Sequence, residues 1–357
     1  MRTELKTLSS WELGPFVKAD AANPCLEPTT DSFFRCTMRG EEVWWEEKDV
    51  FNPAAIVHDG RVCLLYRAED TVGQHAGTSR IGLAESEDGL HFTKGAEPVL
   101  YPGPDGLEAL EWEGGCEDPR IVMDESGTYY ITYTAYNGTI AILCIATSTD
   151  LRRWTKHGPV FGRAIDGKYA NWWSKSGSII TRRDGDRLVA AKLQGKYWMY
   201  WGESDIFAAT SEDLIHWTPV ETEEPGENGE GQGLLSVMKP RPHRFDSLLI
   251  EPGPPSILTD RGIVLIYNSK NHADGGDPGY AVHAYCAGQA LLDPANPLSM
   301  LDRAEDPFLV PDKDYEIDGQ VNHVCFAEGL VYHQGHWLLY YGTADSKIAV
   351  ARCLADL

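Results

Sequence analysis

"IGLAESEDGLHFT" at residues 81–93, "LCIATSTDLRRWT" at 143–155 and "IFAATSEDLIHWT" at 206–218 follow one pattern. Each stretch has a strand of small and apolar residues, a Ser-x-Asp turn, a hydrophobic residue, and then a bulky aromatic residue followed by threonine. The turns begin at Ser86, Ser148 and Ser211, so the pattern recurs about every sixty residues. This spacing indicates an internal repeat.

The same elements precede each of these endings: an apolar strand, a turn with Asp and Gly, and a strand rich in Tyr or Leu. Two further units without the Ser-x-Asp turn follow, one beginning at "PGPPSILTD" and one at "AEGLVYHQG". Five units of about four short strands each predict an all-β fold, a five-bladed β-propeller with a central pocket. A β-sandwich is the all-β alternative, but a sandwich needs no repeat.

The repeat fills the chain, so we expect residues 1–357 to form a single propeller domain. Residues 1–50 are expected to be an entry segment that closes or caps the ring. The acidic, glycine-rich stretch at 221–233 is expected to be a surface loop rather than a linker between domains.

The formal net charge is −23. Nucleic acids and anionic membrane surfaces are bound through basic patches, so this charge argues against both as partners. A neutral small ligand fits better, although a small anion could enter a local basic pocket. Solubility alone is the simplest explanation of such a charge.

The N-terminal stretch "MRTELKTLSSWELGPF" lacks the apolar run of a signal peptide, and no stretch is long and apolar enough for a membrane span. We therefore expect a cytoplasmic protein. The eight cysteines are scattered without a CxxC pair, which favours buried thiols over disulfides or zinc ligands. No ligand spacing predicts a metal, and no motif predicts a cofactor.

In a propeller the innermost strand of each blade starts beside the central axis, so residues at these strand entrances converge on one pocket. Proline is tolerated at the first residue of a strand, and it recurs here at such entrances. Solvated charges at strand starts are the alternative explanation. The five entrances read Asn52-Pro53, Asp118-Pro119, Lys175-Ser176-Gly177, Glu251-Pro252-Gly253 and Asn322-His323.

Two arginines flank a loop that could fold over this pocket, Arg67 in "YRAED" and Arg80 in "TSRIGLA". Singly, each would be an ordinary surface ion pair. Together with Asp70 and nearby tryptophans they resemble a sugar site, which combines flat apolar faces with fixed hydrogen-bonding groups. The tryptophans are Trp172, Trp173, Trp198 and Trp201.

The motifs "GGCEDPRIV", "NPAA", "YRAED…SRIGLA" and "YYGTADSKIAVA" occur in the order seen in glycoside hydrolase family 130, which the chain resembles over nearly its whole length. The resemblance implies a five-bladed propeller and an inverting enzyme, either a β-mannoside phosphorylase or a β-1,2-mannoside hydrolase. It implies that Asp118 is the general acid. Glu117 and Arg120 would then hold Asp118 and tune its pKa.

The phosphorylases of this family carry a His-Arg pair after the third-blade "GKY" strand to hold phosphate. Here the strand reads "GKYWMYWGESD", with Glu203 near the expected basic pair, and Glu251 stands at the fourth entrance. Each carboxylate about 5 Å from a divalent phosphate would repel it by roughly several kcal/mol at an effective dielectric near 20. Glu203 and Glu251 are therefore the candidate pair that orients and deprotonates water, with the choice of base left open.

These points predict an exo-acting β-mannosidase that acts on short β-mannosides, with β-1,2 linkage implied by the resemblance alone. The sugar at the cleaved bond is expected to be held by Asn52, Arg67, Asp70, Arg80, Lys175 and Asp345. One alternative is a phosphorylase that releases mannose 1-phosphate, with an anion site built from Lys175, His243 and Arg244. Another is a sugar-binding propeller without turnover, which would be expected to lack the acid that Asp118 supplies.

Overall fold

The computed structural model describes residues 9–222 and 233–353. The ten residues 223–232 of the expected acidic loop, and residues 1–8 of the entry segment, lie outside the described part of the chain. The described residues form an all-β, five-bladed propeller, as the repeat predicted.

The N-terminal segment and the first two blades occupy residues up to 159. The N-terminal strands are β1 (Val17–Lys18), β2 (Phe34–Cys36) and β3 (Glu41–Val43). Blade one contains β4 (Asp49–His58), β5 (Arg61–Glu69), β6 (Ser79–Ser86) and β7 (Thr93–Lys94). A short helix, α1 (Glu108–Glu111), precedes blade two, with β8 (Gly115–Met123), β9 (Tyr129–Tyr136), β10 (Ala141–Ser148) and β11 (Thr155–Pro159).

The other three blades complete the ring. After a 3₁₀ turn (Ala164–Gly167), blade three contains β12 (Ser178–Ile179), β13 (Thr181–Asp184), β14 (Arg187–Ala190), β15 (Lys192–Leu193), β16 (Lys196–Trp201), β17 (Ile206–Ser211), β18 (Trp217–Pro219) and β19 (Ser236–Met238). Blade four contains β20 (Leu249–Pro252), β21 (Ile257–Leu258), β22 (Ile263–Lys270), β23 (Tyr285–Asp293) and β24 (Asn296–Arg303). Helix α2 (Asp314–Ile317) precedes blade five, with β25 (Cys325–His333), β26 (His336–Thr343) and β27 (Lys347–Cys353).

Blade five is completed by the N-terminal strand. Its sheet has the order β1-β27-β26-β25, with Val17 opposite Arg352. Asn23 adds a side-chain clasp, because its amide donates to the carbonyl of Val350 and its oxygen accepts from the Val350 N–H, both at 2.9 Å. Part of the expected entry segment therefore closes the ring.

Apolar side chains of adjacent blades pack between the sheets. Ile56 and Leu65 of blade one, for example, share a buried cluster with Ile121 and Ile131 of blade two. Burial of apolar surface of this kind is the main favourable term in folding. The cysteine side chains lie in such regions and are buried, apart from the half-buried Cys25.

The repeated turns hold themselves in the same way in three blades. Gly89, Leu151 and Leu214 each donate a backbone N–H to the serine hydroxyl of their turn, at 2.9 Å. The serine hydroxyl in turn donates to the aspartate two residues later. This local hydrogen bonding is why the Ser-x-Asp pattern recurs in the turns that follow β6, β10 and β17.

A second repeat joins residues that are far apart in sequence. In four blades a tyrosine on the strand next to the inner edge donates its hydroxyl to a fully buried acid that precedes the inner strand. A cation on the outermost strand pairs with the same acid. We call these groups the tyrosine–acid clusters. They are Tyr66–Glu46–Lys94, Tyr133–Glu111–Lys156, Tyr267–Asp246–Arg303 and Tyr341–Glu316–Lys18.

Over residues 9–222 and 233–353, no helix is long and apolar enough to cross a membrane. The same residues contain no group of three or more His, Cys, Asp or Glu side chains arranged to hold a metal ion.

Candidate active site

The entrances of the inner strands meet at the axis, where two of them are kinked in the same way. The β4–β5 register shifts at Asn52 and the β8–β9 register shifts at Asp118, so each residue sits in a β-bulge. Both have left-handed backbone, with φ of 46° and 47°. A bulge re-aims the side chain it carries, and here the Asn52 amide donates to Asp118 Oδ1 at 3.0 Å.

Close packing of the backbone keeps Asn52 in place. A side chain at Gly342 of blade five would collide with the Asn52 amide oxygen, so this position requires glycine. The entrances of blades one, two and five therefore approach one another directly.

Arg67 on β5 gathers three carboxylates on one side of the site, which we call the acid wall. Its guanidinium donates to Asp118 at 3.0 Å, to Glu117 at 2.9 Å and to Glu69 at 2.7 Å. Its Nε–H donates to the Ser79 hydroxyl at 3.0 Å. These bonds engage four of the five N–H groups of the guanidinium, so Arg67 mainly orients the acids.

The pKa values of the two neighbouring acids of this wall are shifted in opposite directions. Burial opposes ionisation of Asp118, but Arg67, Lys175 and the Asn52 hydrogen bond outweigh it, so the pKa of Asp118 is lowered. Burial raises the pKa of Glu117, and the nearby Asp118 charge adds to this effect while Arg67 opposes it. These surroundings favour the anionic form of Asp118, and Glu117 is the acid that keeps a proton more readily.

Lys175 lies between two groups of carboxylates. Its ammonium is 3.8 Å from Asp118 Oδ2. Burial opposes its charge, but Asp118, Glu203 and Glu251 together raise the pKa of Lys175. The lysine is therefore a fixed positive charge at the centre of the site.

Glu251 and Glu203 form the second side, which we call the glutamate wall. Glu251 is buried on β20 and accepts the Ser176 hydroxyl at 2.6 Å. Burial raises the pKa of Glu251 to about 7, with Lys175 opposing and Glu203 adding to the shift. Glu203 is only half-buried and accepts the Trp173 indole N–H at 3.0 Å.

Asp345, on the turn between β26 and β27, also faces the acid wall. It has left-handed backbone, with φ of 48°. Burial raises the pKa of Asp345 to about 7, Arg67 opposes this shift and Asp118 adds to it. Within the described residues its carboxylate accepts no hydrogen bond from a side chain or the backbone, so it can bind a hydroxyl group.

Asp70 and Arg80 do not join the site, contrary to the sequence-based expectation that they bind sugar hydroxyls. Asp70 accepts backbone N–H groups of Val72, Gly73 and Thr78 through one oxygen. Its other oxygen accepts Arg80 at 2.7 Å. Both side chains are almost completely buried, so the pair orders the loop after β5 and is out of reach of a ligand.

Arg120 is also buried, and it reaches across the axis to blade four. It donates to the carbonyls of Pro252 at 2.8 Å, Gly253 at 2.9 Å and Asp118 at 3.1 Å. The expectation that Arg120 holds Asp118 agrees with this geometry. Its additional contact with the segment that follows Glu251 was not expected.

Of the four tryptophans grouped with the site, only Trp173 is exposed there. It is 47% exposed beside Glu203. Trp201 is buried in the core, Trp198 donates to the Leu193 carbonyl, and Trp172 packs on Tyr169. The expectation of a site lined by all four is therefore wrong, because β16 turns Trp198 and Trp201 into the blade packing.

The fifth entrance was misplaced in sequence by several residues. The expected pair was Asn322-His323, but Asn322 is exposed and the bulge of β25 lies at Glu328. Glu328 is fully buried, and Arg120 pairs with it at 3.1 Å. The available signal was Glu328-Gly329 at the place that Asn52-Pro53 and Asp118-Pro119 occupy in their strands.

The sequence profile of glycoside hydrolase family 130, described as beta-1,4-mannooligosaccharide phosphorylase, matches residues 25–356. A 1,2-beta-oligomannan phosphorylase from Thermoanaerobacter sp. (strain X514) is 32% identical over 316 residues, covering 86% of this chain and 90% of that protein. The match thus extends over all five blades.

Two solved structures have the same fold with higher identity. A glycosyl hydrolase from Bacteroides ovatus has a TM-score of 0.91 and 46% identity, covering 97% of this chain and 95% of its own. A structure reported with family 130 glycoside hydrolases that target beta-1,2 mannosidic linkages in Candida mannan has a TM-score of 0.92 and 48% identity, with 97% and 95% covered.

Proposed function

The chain belongs to glycoside hydrolase family 130, whose enzymes act on mannosides, and we propose that it hydrolyses short β-1,2-linked mannosides with inversion of configuration. The observation that most supports hydrolysis is the glutamate wall. Glu251 and Glu203 lie near Lys175, which also faces Asp118, and each of the two glutamates has its own hydrogen-bond donor.

Asp118 is the proposed general acid for the leaving oxygen. Its protein surroundings lower its pKa, so the acid form has to be reached with sugar bound. Bound sugar excludes water, which raises the pKa of a carboxyl group. Glu117 shares Arg67 with Asp118 and binds a proton more tightly, so it is a nearby source of that proton.

Glu251 is the proposed base, and Glu203 is the proposed partner that orients the water. A general base works best when its pKa lies near the working pH, and burial places the pKa of Glu251 at about 7. Glu251 would accept the proton of a water that attacks C1 from the face opposite the leaving oxygen. The C1–O bond breaks as Asp118 protonates that oxygen, and both sugars leave neutral.

The other residues expected at the site fall into two groups, according to whether their polar atoms are still available for the sugar. Asp345 and Lys175 are proposed to bind hydroxyl groups of the sugar at the cleaved bond. Arg67 and Asn52 are proposed to act by holding Asp118, because their donors are already directed at carboxylates.

The phosphorylase alternative needs a cationic site for phosphate. Two of its proposed members have different surroundings: Arg244 pairs with Glu305 at the surface, whereas Lys175 is enclosed by carboxylates. Two carboxylates beside the attacking position would repel a divalent phosphate. This charge arrangement favours water as the nucleophile.

Product analysis on β-1,2-mannobiose tests the proposal. We expect free mannose at a rate that does not change between zero and millimolar phosphate, measured by anion-exchange chromatography. Mannose 1-phosphate that forms only with phosphate would refute hydrolysis. Binding of the disaccharide without any product would favour the non-catalytic alternative.

The proposal includes the domain organisation: the five blades act as one catalytic domain, since the site takes residues from all of them. Cleavage is proposed to be exo-acting on short chains. A comparison of mannobiose with longer β-1,2-mannosides, with mannose released one unit at a time, would test this mode.

A further inference from the structure

Glu328 is a buried acid that the steps above do not use. Its side chain is fully buried, and neither carboxylate oxygen has a hydrogen-bond partner in the described structure. Its ion pair is with Arg120, at 3.1 Å. Burying a carboxylate with so little compensation is costly, so its position calls for an explanation.

Arg120 connects this acid to both walls of the site. One nitrogen donates to the carbonyl of Asp118, on the acid wall. The other two donate to the carbonyls of Pro252 and Gly253, directly after Glu251. A single guanidinium therefore joins blades two and four, and Glu328 joins it to blade five.

We propose that Glu328 is a positioning residue, which together with Arg120 forms a clasp that sets the spacing between Asp118 and Glu251. This inference rests on the proposed roles of those two residues. Inverting hydrolysis depends on the separation of its two carboxyl groups, because a water has to fit between the sugar and the base. A displacement of about 1 Å can lower turnover about 10²-fold.

The charge of Glu328 acts on the same two residues. The ionisable groups that face it are Arg120, Asp118, Glu251 and Arg67. Burial raises the pKa of Glu328, and Arg120 opposes this shift by stabilising the ionised form. Over the pH range in which Glu328 is ionised, its charge favours protonation of Asp118 and of Glu251, and removing that charge lowers the pKa of both groups.

The test is Glu328→Gln, which keeps the shape and removes the charge. We expect kcat to fall by about 10²-fold with a smaller change in KM. Both limbs of the pH–rate profile should move toward acid over the pH range in which Glu328 is ionised. A matched control is Glu316→Gln, a fully buried acid of the same blade that belongs to a tyrosine–acid cluster. The control should lower the melting temperature without moving either limb.

Arg120→Lys separates geometry from charge, because it keeps the positive charge and loses the fork. It should lower kcat while the pH limbs move less than in Glu328→Gln. Wild-type kcat and pH limbs in Glu328→Gln would overturn the clasp, and so would a shift equal to that of Glu316→Gln. If Glu328→Gln does not fold, the Arg120→Lys kinetics decide, and wild-type kcat there overturns the clasp.

The pH–rate profile can be recorded for hydrolysis or for phosphorolysis of β-1,2-mannobiose. The clasp can therefore be tested even if the enzyme proves to be a phosphorylase. If the wild type turns over neither way, the proposed function fails separately. The clasp is then tested by the pH dependence of mannobiose binding, measured by calorimetry. A shift in Glu328→Gln that is absent in Glu316→Gln supports it, and identical curves overturn it.

Discussion

The tyrosine–acid clusters and the site at the axis both bury carboxylates, but they compensate them differently. In the clusters each acid has a tyrosine hydroxyl and a cation of its own, as in Glu111 with Tyr133 at 2.8 Å and Lys156 at 2.6 Å. At the axis, several acids share Arg67, Lys175 and Arg120. Neither carboxylate oxygen of Glu328 has a hydrogen-bond partner among the described residues. The raised pKa of Asp345 is caused by burial and neighbouring charges.

The difference separates two uses of buried charge. A fully partnered acid fixes the geometry of a blade and has no polar atom left for a ligand. An acid that shares its cation keeps an unfilled hydrogen-bonding capacity and a shifted pKa, which are properties of catalytic groups. Substitutions at the axis should therefore change rates, and substitutions in the clusters should change stability.

Asp118→Asn should have the largest effect on turnover. The change is nearly isosteric and removes the proton donor, so we expect kcat on β-1,2-mannobiose to fall by about 10²–10⁴-fold while calorimetric binding remains. Asp302→Asn, at an exposed carboxylate that accepts from Trp11, is the matched control and should keep wild-type kcat. An Asp118→Asn enzyme with normal kcat would remove Asp118 from the mechanism.

The two glutamates should differ in the size of their effect. Glu251→Ala removes the proposed base, so we expect a loss of about 10²–10³-fold in kcat, and Glu203→Ala should cost less. Azide needs no base, so it should restore part of the Glu251→Ala rate and form α-mannosyl azide. Equal losses without rescue in either variant would contradict the assignment of Glu251.

The acid side of the pH–rate profile should report Glu251. The base works as the anion, and burial raises its pKa to about 7, so kcat/KM should fall about tenfold for each pH unit below about 7. In Glu251→Ala this limb should disappear from the residual rate. A limb that persists unchanged would belong to another group.

Trp173→Phe should have a smaller effect, because it keeps an aromatic face and loses the N–H that Glu203 accepts at 3.0 Å. We expect kcat to fall by about ten- to a hundredfold, since one hydrogen bond to a charged group contributes about 1.5–3 kcal/mol, with KM nearly unchanged. Trp172→Phe is the control and should be silent. A change confined to KM would assign Trp173 to sugar binding alone.

Tyr133→Phe should leave the kinetics unchanged and affect only stability. It removes a donor to the buried Glu111, which should lower the free energy of unfolding by about 1–3 kcal/mol. Chemical denaturation measures this loss, and steady-state assays at 25 °C supply the comparison. A fall in kcat with unchanged stability would contradict the assignment of a purely structural role to this cluster.

The repeat was visible in sequence because its signals are local. Ser86, Ser148 and Ser211 make hydrogen bonds within their own turns, so the same letters recur. The acids of the clusters were not found, because Glu111 meets Lys156 only after the blade has folded. A group of residues that are far apart in sequence leaves no local pattern from which it could be predicted.

The site was only partly predictable for a related reason. A Pro-marked entrance predicted Asn52 and Asp118, which the structure joins by a hydrogen bond. Glu328 has glycine where those entrances have proline, so it was overlooked. Asp70 and Arg80 were predicted as site residues because a sequence does not show whether two charged side chains face a pocket or pair with each other.

The hydrogen bonds between Asn23 and Val350 join residues 327 positions apart, in the sheet that closes the ring. During synthesis at about 5–20 residues per second, Asn23 leaves the ribosome on the order of half a minute before its partner exists. The early blades can fold in that interval, but the axis still lacks Glu328 and Asp345. We therefore expect a nascent chain to gain activity abruptly, when its last blade closes, rather than in proportion to its length.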